Sequence, residues 1–218
     1  RNARLNSITM KKYYLIAGLL IAIYCGLNYI NSEYITTLDN LHTMFDFGGD
    51  TEVDIESMYE NTKNLSYLSY IISIFTVIFR VLINTLIVYI GFYIYKKQRF
   101  KDILKVIICA ETVNVIQSCV KIINLAWINP PTSYTDLQVI PFSVLSLFDI
   151  ERLDQWMIMQ LNCINIFEIA YIICASFFLA KELAIKFSYS IKMVLLTYGL
   201  ADFAIIVLST CFTIYATK

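Results

Sequence analysis

Apolar residues along this chain gather into long runs, and the polar and charged residues between them fall into a few short segments and two longer ones. The runs lie at residues 13–30, 65–95, 103–127, 156–180 and 193–216. Each approaches or exceeds the roughly 20 apolar residues that cross a bilayer as a helix, which predicts five transmembrane helices. In four of these runs polar side chains recur at helical spacing on one side. Ser69, Ser73, Thr76, Arg80, Asn84 and Gly91 make one such stripe, and Glu111, Asn114, Gln117, Ser118 and Lys121 make a second. Asn162, Asn165 and Glu168, continued by Ala175 and Ser176, make a third, and Asp202, Ser209 and Thr213 a fourth. An ionisable group at membrane depth is costly unless it meets protein, water or an opposite charge, so these helices are expected to face one another along their stripes. The first run has no charge and only Gly18, Cys25 and Asn28 as minor features, and is expected at the periphery.

The two longer polar segments define outer loops at about residues 31–64 and 128–155. The first is acidic, with Glu33, Asp39, Asp46, Asp50, Glu52, Asp54, Glu56 and Glu60 against Lys63. Within it Ile35, Leu38, Leu41, Met44 and Phe45 recur at helical spacing, predicting a short amphipathic helix on the membrane surface before a turn at Gly48-Gly49. The Asp46, Asp50, Glu52, Asp54 cluster lacks the ligand spacing of an EF-hand and reads as a solvated loop. Asn64-Leu65-Ser66 fits a glycosylation pattern but lies almost at the membrane. Pro130-Pro131 ends the third run, because the paired rings remove donors and force extended backbone. The apolar stretch 139–148 is too short to cross and is expected to form a re-entrant or interfacial helix. Lysines and arginines concentrate before residue 13, at 96–101 and at 181–192. By the positive-inside rule these segments are cytoplasmic, which puts the N-terminus inside and the C-terminus outside. The first run is long for a signal peptide and lacks a small-x-small cleavage site, so it is expected to be retained. The chain begins at Arg1 rather than Met, which leaves its natural start open.

Composition agrees with this pattern. Of 218 residues, 58% are hydrophobic and only 16% charged, with a mean hydropathy of +0.64, as in a polytopic membrane protein of one domain, residues 1–218. The net charge is zero and nothing argues for nucleic acid. The cysteines all lie inside apolar runs with no close pair, and His42 is the single histidine. They read as small core residues, and no metal or cofactor is expected. Abundant Ile, Asn, Lys and Tyr, with scarce Gly and Pro, fit the codon usage of an AT-rich genome.

The candidate chemistry is an intramembrane polar cluster of Arg80, Asn84, Glu111, Asn114, Asn162, Asn165, Glu168 and Asp202. Reckoned from the cytoplasmic helix ends at about 1.5 Å per residue, Glu111, Glu168 and Asp202 reach roughly 12 to 18 Å and Arg80 roughly 22 Å. Glu168 is the favoured partner for Arg80 on this reckoning, with Asp202 and Glu111 close behind. Lys121 lies nearer the outer face and can snorkel. Two readings follow: a structural one, in which Arg80 is neutralised and the stripes bind the helices, and a proton or cation relay through the three acids. No run contains Pro and Gly is sparse, which counts against the broken helices of a transporter. No His-Glu-x-x-His, Gly-x-Ser-x-Gly or phosphate-cradling loop is present. Tyr198-Gly199-Leu200-Ala201-Asp202 is only a partial match to the Gly-x-Gly-Asp element of intramembrane aspartyl proteases, and no second aspartate accompanies it. An enzyme is not expected.

With Phe100-Lys101-Asp102 leading into a helix that bears Glu111, then Pro141-Phe142-Ser143, Asn165-Ile166-Phe167-Glu168 and Tyr198-Gly199, the chain from about Phe100 to Tyr215 resembles the Yip family of five-span membrane proteins, in particular its bacterial relatives. The resemblance also implies an N-inside, C-outside arrangement. Eukaryotic members act in vesicle trafficking with small GTPases through a cytosolic N-terminal region. Only about a dozen residues stand there in this chain, so that role is not carried over. The expectation is a non-enzymatic accessory or scaffold subunit of a membrane complex, in a bacterial inner membrane, with the lipid bilayer and other membrane proteins as partners. The alternative is a proton- or cation-coupled transporter or channel subunit.

Overall fold

The computed structural model describes residues 2–40, 55–133 and 135–216, and its long regular elements are all helices. The acidic cluster at Asp46, Asp50, Glu52 and Asp54, the Gly48-Gly49 turn and His42 lie outside the described residues, as does most of the expected amphipathic helix. Ile35 of that helix instead ends a π-helical turn, Asn31–Ile35, that continues α1 (Asn2–Ile30). Helix α2 (Ile55–Asn64) leads almost directly into α3 (Ser66–Lys96). Lys97 closes α3 in the left-handed conformation, and the chain turns back at once into α4 (Phe100–Ile123). A π-helical turn at Asn124–Ile128 ends this helix ahead of Pro130-Pro131.

Among the described residues, four helices are long and apolar enough to cross a membrane: Lys11–Ile35, Tyr67–Ile94, Phe100–Ile128 and Phe187–Tyr215. The last is composed of α7 (Phe187–Val194), a π-helical turn at Leu195–Gly199 and α8 (Leu200–Ala216). The run at 156–180 is not one helix. It divides into α5 (Gln155–Cys163) and α6 (Ile166–Glu182), with Ile164 and Asn165 between them. Asn165 is extended, and its side-chain oxygen accepts the Glu168 backbone N–H at 2.8 Å. Asparagine competes well for helix N-terminal donors, so an Asn-x-x-Glu sequence inside an apolar run starts a helix rather than continuing one.

The break is covered by the loop that precedes α5. Ser143 and Asn165 form an isolated antiparallel bridge, in which the Val144 N–H donates to the Ile164 carbonyl at 2.9 Å and the Ile166 N–H to that of Phe142 at 3.3 Å. Backbone groups freed by the break are thereby satisfied. The stretch 139–148 consequently forms no α-helix. It runs through Pro141, a left-handed Phe142 (φ 61°), the bridge and a 3-10 turn at Val144–Leu147.

Helix α4 is the centre of the bundle. Its Ile103, Val106, Ile107, Ala110 and Val113 pack with Val88 and Phe92 of α3, Tyr171, Ala175 and Leu179 of α6, and Val194 of α7. On its other side Ile108 and Val115 meet Leu20 of α1. Helix α8 stands at the edge, with Phe203, Leu208 and Phe212 exposed. Gly91 lets α3 approach the π-helical turn: a Cβ at that position would lie 2.1 Å from Cγ2 of Thr197.

Candidate functional site

The polar positions resolve into two groups inside the bundle and a third at the helix break. In the first group, Arg80 of α3 forms an ion pair with Glu111 of α4, whose side chain is fully buried. The Tyr24 hydroxyl of α1 accepts from Arg80 and donates to Glu111 Oε1 at 3.3 Å, and the guanidinium lies 5.5 Å from the Tyr24 ring centre. Asn114 Nδ2 donates to the other oxygen, Glu111 Oε2, at 3.0 Å. Both carboxylate oxygens are thus engaged, and three helices are tied together by one buried charge. Asn28 adds a hydrogen bond from α1 to Ser73 of α3.

The second group begins at Asn84, whose Nδ2 donates to the Tyr171 hydroxyl of α6 at 3.2 Å. The Tyr171 ring lies 5.0 Å from that of Tyr198, on the π-helical turn. Tyr198 lies against the Glu168 carboxylate, and Asp202 stands near enough for its charge to act on Glu168. Glu168 Oε1 is buried and takes no hydrogen bond among the described residues. A single Arg80 shared with Glu168 is not what the fold builds. The short turn between α3 and α4 makes these helices immediate neighbours, so Arg80 meets Glu111, whereas Glu168 turns toward Tyr198 and Asp202. The expected depths of the three acids were similar, and depth carries no information about which way around its axis each helix faces.

Asn162 and Asn165 belong to neither group. Asn162 pins the loop that precedes α5, accepting the Ile140 N–H at 2.9 Å and donating to the Gln138 carbonyl at 2.6 Å. Asn165 caps α6 and donates to the carbonyls of Asn162 and Cys163. The tyrosines were absent from the sequence-derived cluster. The same reckoning from the basic ends puts Tyr24 and Tyr171 at roughly 15 to 18 Å, level with the acids, so hydroxyls counted alongside charges would have found them.

Among the described residues, no group of three or more His, Cys, Asp or Glu side chains is arranged to hold a metal ion. The fold and this layer together define a helical bundle with four helices of membrane-crossing length and apolarity and an interior that is part ion pair, part tyrosine and carboxylate. Compared with protein-family models, curated proteins and solved structures, the chain matches none.

Proposed function

We propose that the chain is a non-enzymatic integral membrane protein that acts through partners, as an accessory or scaffold subunit of a membrane complex. The observation that carries this reading is the closure of the Arg80–Glu111 pair by Tyr24 and Asn114, which commits a fully buried carboxylate and its arginine to holding α1, α3 and α4 together. Exposed apolar side chains along α3 and α8, such as Phe75, Phe79, Phe203 and Phe212, offer surfaces for lipid and for a partner's helices. In this reading α6 is a fifth crossing. Its 17 residues reach about 25 Å, and the basic segments on either side of the bundle's turns then share the cytoplasmic face. The motifs that resemble the Yip family agree with that arrangement, and a bacterial inner membrane is the proposed location.

One observation favours a second reading. Glu168, with an unengaged oxygen, and Asp202 lie beside a helix that breaks without Pro or Gly, and broken helices are where transporters bind ions. Extraction in a mild detergent, followed by size analysis and mass spectrometry, tests the first reading: a stoichiometric membrane partner is the expected result. A lone particle whose proteoliposomes carry a proton or cation flux that Glu168→Gln abolishes would replace it with the second.

A further inference from the structure

A cavity of about 520 Å³ opens beside the outer end of α4, apart from the polar layer. Its walls are set by local chemistry. On one side, the π-helical turn is latched by Asn129 Nδ2 donating to Asn124 Oδ1 at 3.0 Å. After Pro130-Pro131 the chain folds over Asp136, whose Oδ2 accepts the N–H groups of Thr132 and Ser133, each at 2.9 Å, and the Thr132 hydroxyl at 3.0 Å. On the other side, the loop through Pro141, Phe142 and Leu145 is fixed by the bridge to Asn165 and by Asn162. Both walls are thus held before any ligand arrives.

The lining mixes polar side chains with apolar ones, Leu125 and the fully buried Leu145 among them, and among the described residues Asp136 is its sole ionisable side chain. Oδ1 of Asp136 takes no hydrogen bond among the described residues. Burial raises the Asp136 carboxyl, but the hydrogen bonds from Thr132 and Ser133 outweigh it and hold it below the usual carboxylate range, so it is charged at neutral pH. The volume suits a small ligand. Phe142 and Phe148 are part of the lining and are exposed. A pocket whose mixed lining holds one fixed anion, buried leucines and exposed aromatic rings disfavours anions and suits a cation on a short apolar stem.

We propose that this cavity binds an ammonium group carried on a short apolar stem, presented by a lipid headgroup or by a free alkylamine. The lipid source rests on the membrane reading above; the free amine does not. Calorimetric titration of the full chain in maltoside micelles with hexylammonium at neutral pH tests it, with hexanol and hexyl sulfate as comparisons. Saturable binding at one site is expected for hexylammonium, weakened about tenfold or more in hexanol, in hexyl sulfate and in Asp136→Asn. Because Asp136→Asn can loosen the loop it folds, Ser146→Trp, which fills the cavity and leaves Asp136 in place, is measured alongside and is expected to abolish binding. Asp149→Asn, an exposed carboxylate paired with Arg152 at 3.0 Å, is expected to bind as the parent does. Equal binding of hexanol and hexylammonium, or undiminished binding in Ser146→Trp, overturns the proposal. The same titration in nanodiscs of phosphatidylglycerol with and without phosphatidylethanolamine separates the sources: competition by the ethanolamine lipid assigns the headgroup, and its absence assigns the free amine. Carbonate extraction of native membranes tests the membrane reading separately.

Discussion

Replacing Glu111 with Ala strands the Arg80 guanidinium and leaves Tyr24 and Asn114 without their shared acceptor. Removing one partner of a buried pair costs about 3–5 kcal/mol, so Glu111→Ala is expected to lower the unfolding temperature in detergent well below that of Glu168→Ala. If Arg80 relies on Glu168, the order reverses. The exchange Arg80→Glu with Glu111→Arg should recover part of the loss, whereas Arg80→Glu with Glu168→Arg should not. Asp136 gives a pH dependence of known sign. Its carboxyl is lower in the folded chain than in the unfolded one, so its contribution is complete above the ordinary Asp value of about 3.9 and is lost as pH falls through the folded value. Amide protection factors at Thr132 and Ser133 should therefore be flat from pH 8 to about 5 and fall only below about pH 4. Arg80 and Glu111 were both legible in the sequence as buried charges needing partners. Their pairing was not, because three acids shared one depth.

At the scale of elements, the break at Ile164-Asn165 is a helix start written into the sequence. Asn165→Ala should cost about 1 kcal/mol by loss of the cap, whereas Asn165→Asp, which can accept the same N–H, should stay near the parent in thermal unfolding. A smooth continuous helix through 156–180 would respond in the opposite sense, since Ala is the better helix former. The Asn-x-x-Glu pattern is present in the sequence, but it lies in a long apolar run whose polar residues fit a continuous helical stripe equally well. Gly91 sets the approach of α3 to the π-helical turn. Gly91→Ala should reduce the folded yield, and Thr197→Ser, which deletes the methyl 2.1 Å from the new Cβ and keeps a hydroxyl to bond the Met193 carbonyl, should restore it.

For the whole molecule, the open choice is whether α6 crosses. If it does, the turns at Gln98 and Ala184 share the cytoplasmic side and Asp149 lies opposite; if only the four longest helices cross, Ala184 joins Asp149. Single cysteines at these positions in a chain whose own thiols are replaced, labelled with an impermeant reagent in intact cells, should react only at Asp149. Labelling at Ala184 would reduce the crossings to four. Helix α1 is tied to the bundle through Tyr24 and Asn28, so its removal should weaken the Arg80–Glu111 contact while α3 and α4 stay paired.

The sequence by itself determined that the chain is helical, where its long apolar helices run and which polar side chains sit among them, because helix length, hydropathy and the 3.6-residue repeat are local properties. Only the tertiary structure decided that Arg80 belongs to Glu111, that Tyr24, Tyr171 and Tyr198 complete the polar layer, and that the loop before α5 wraps a cavity beside Asp136. Those outcomes depend on how each helix is turned about its axis and on which neighbours the turns allow. Side chains far apart in the chain settle that jointly, through packing.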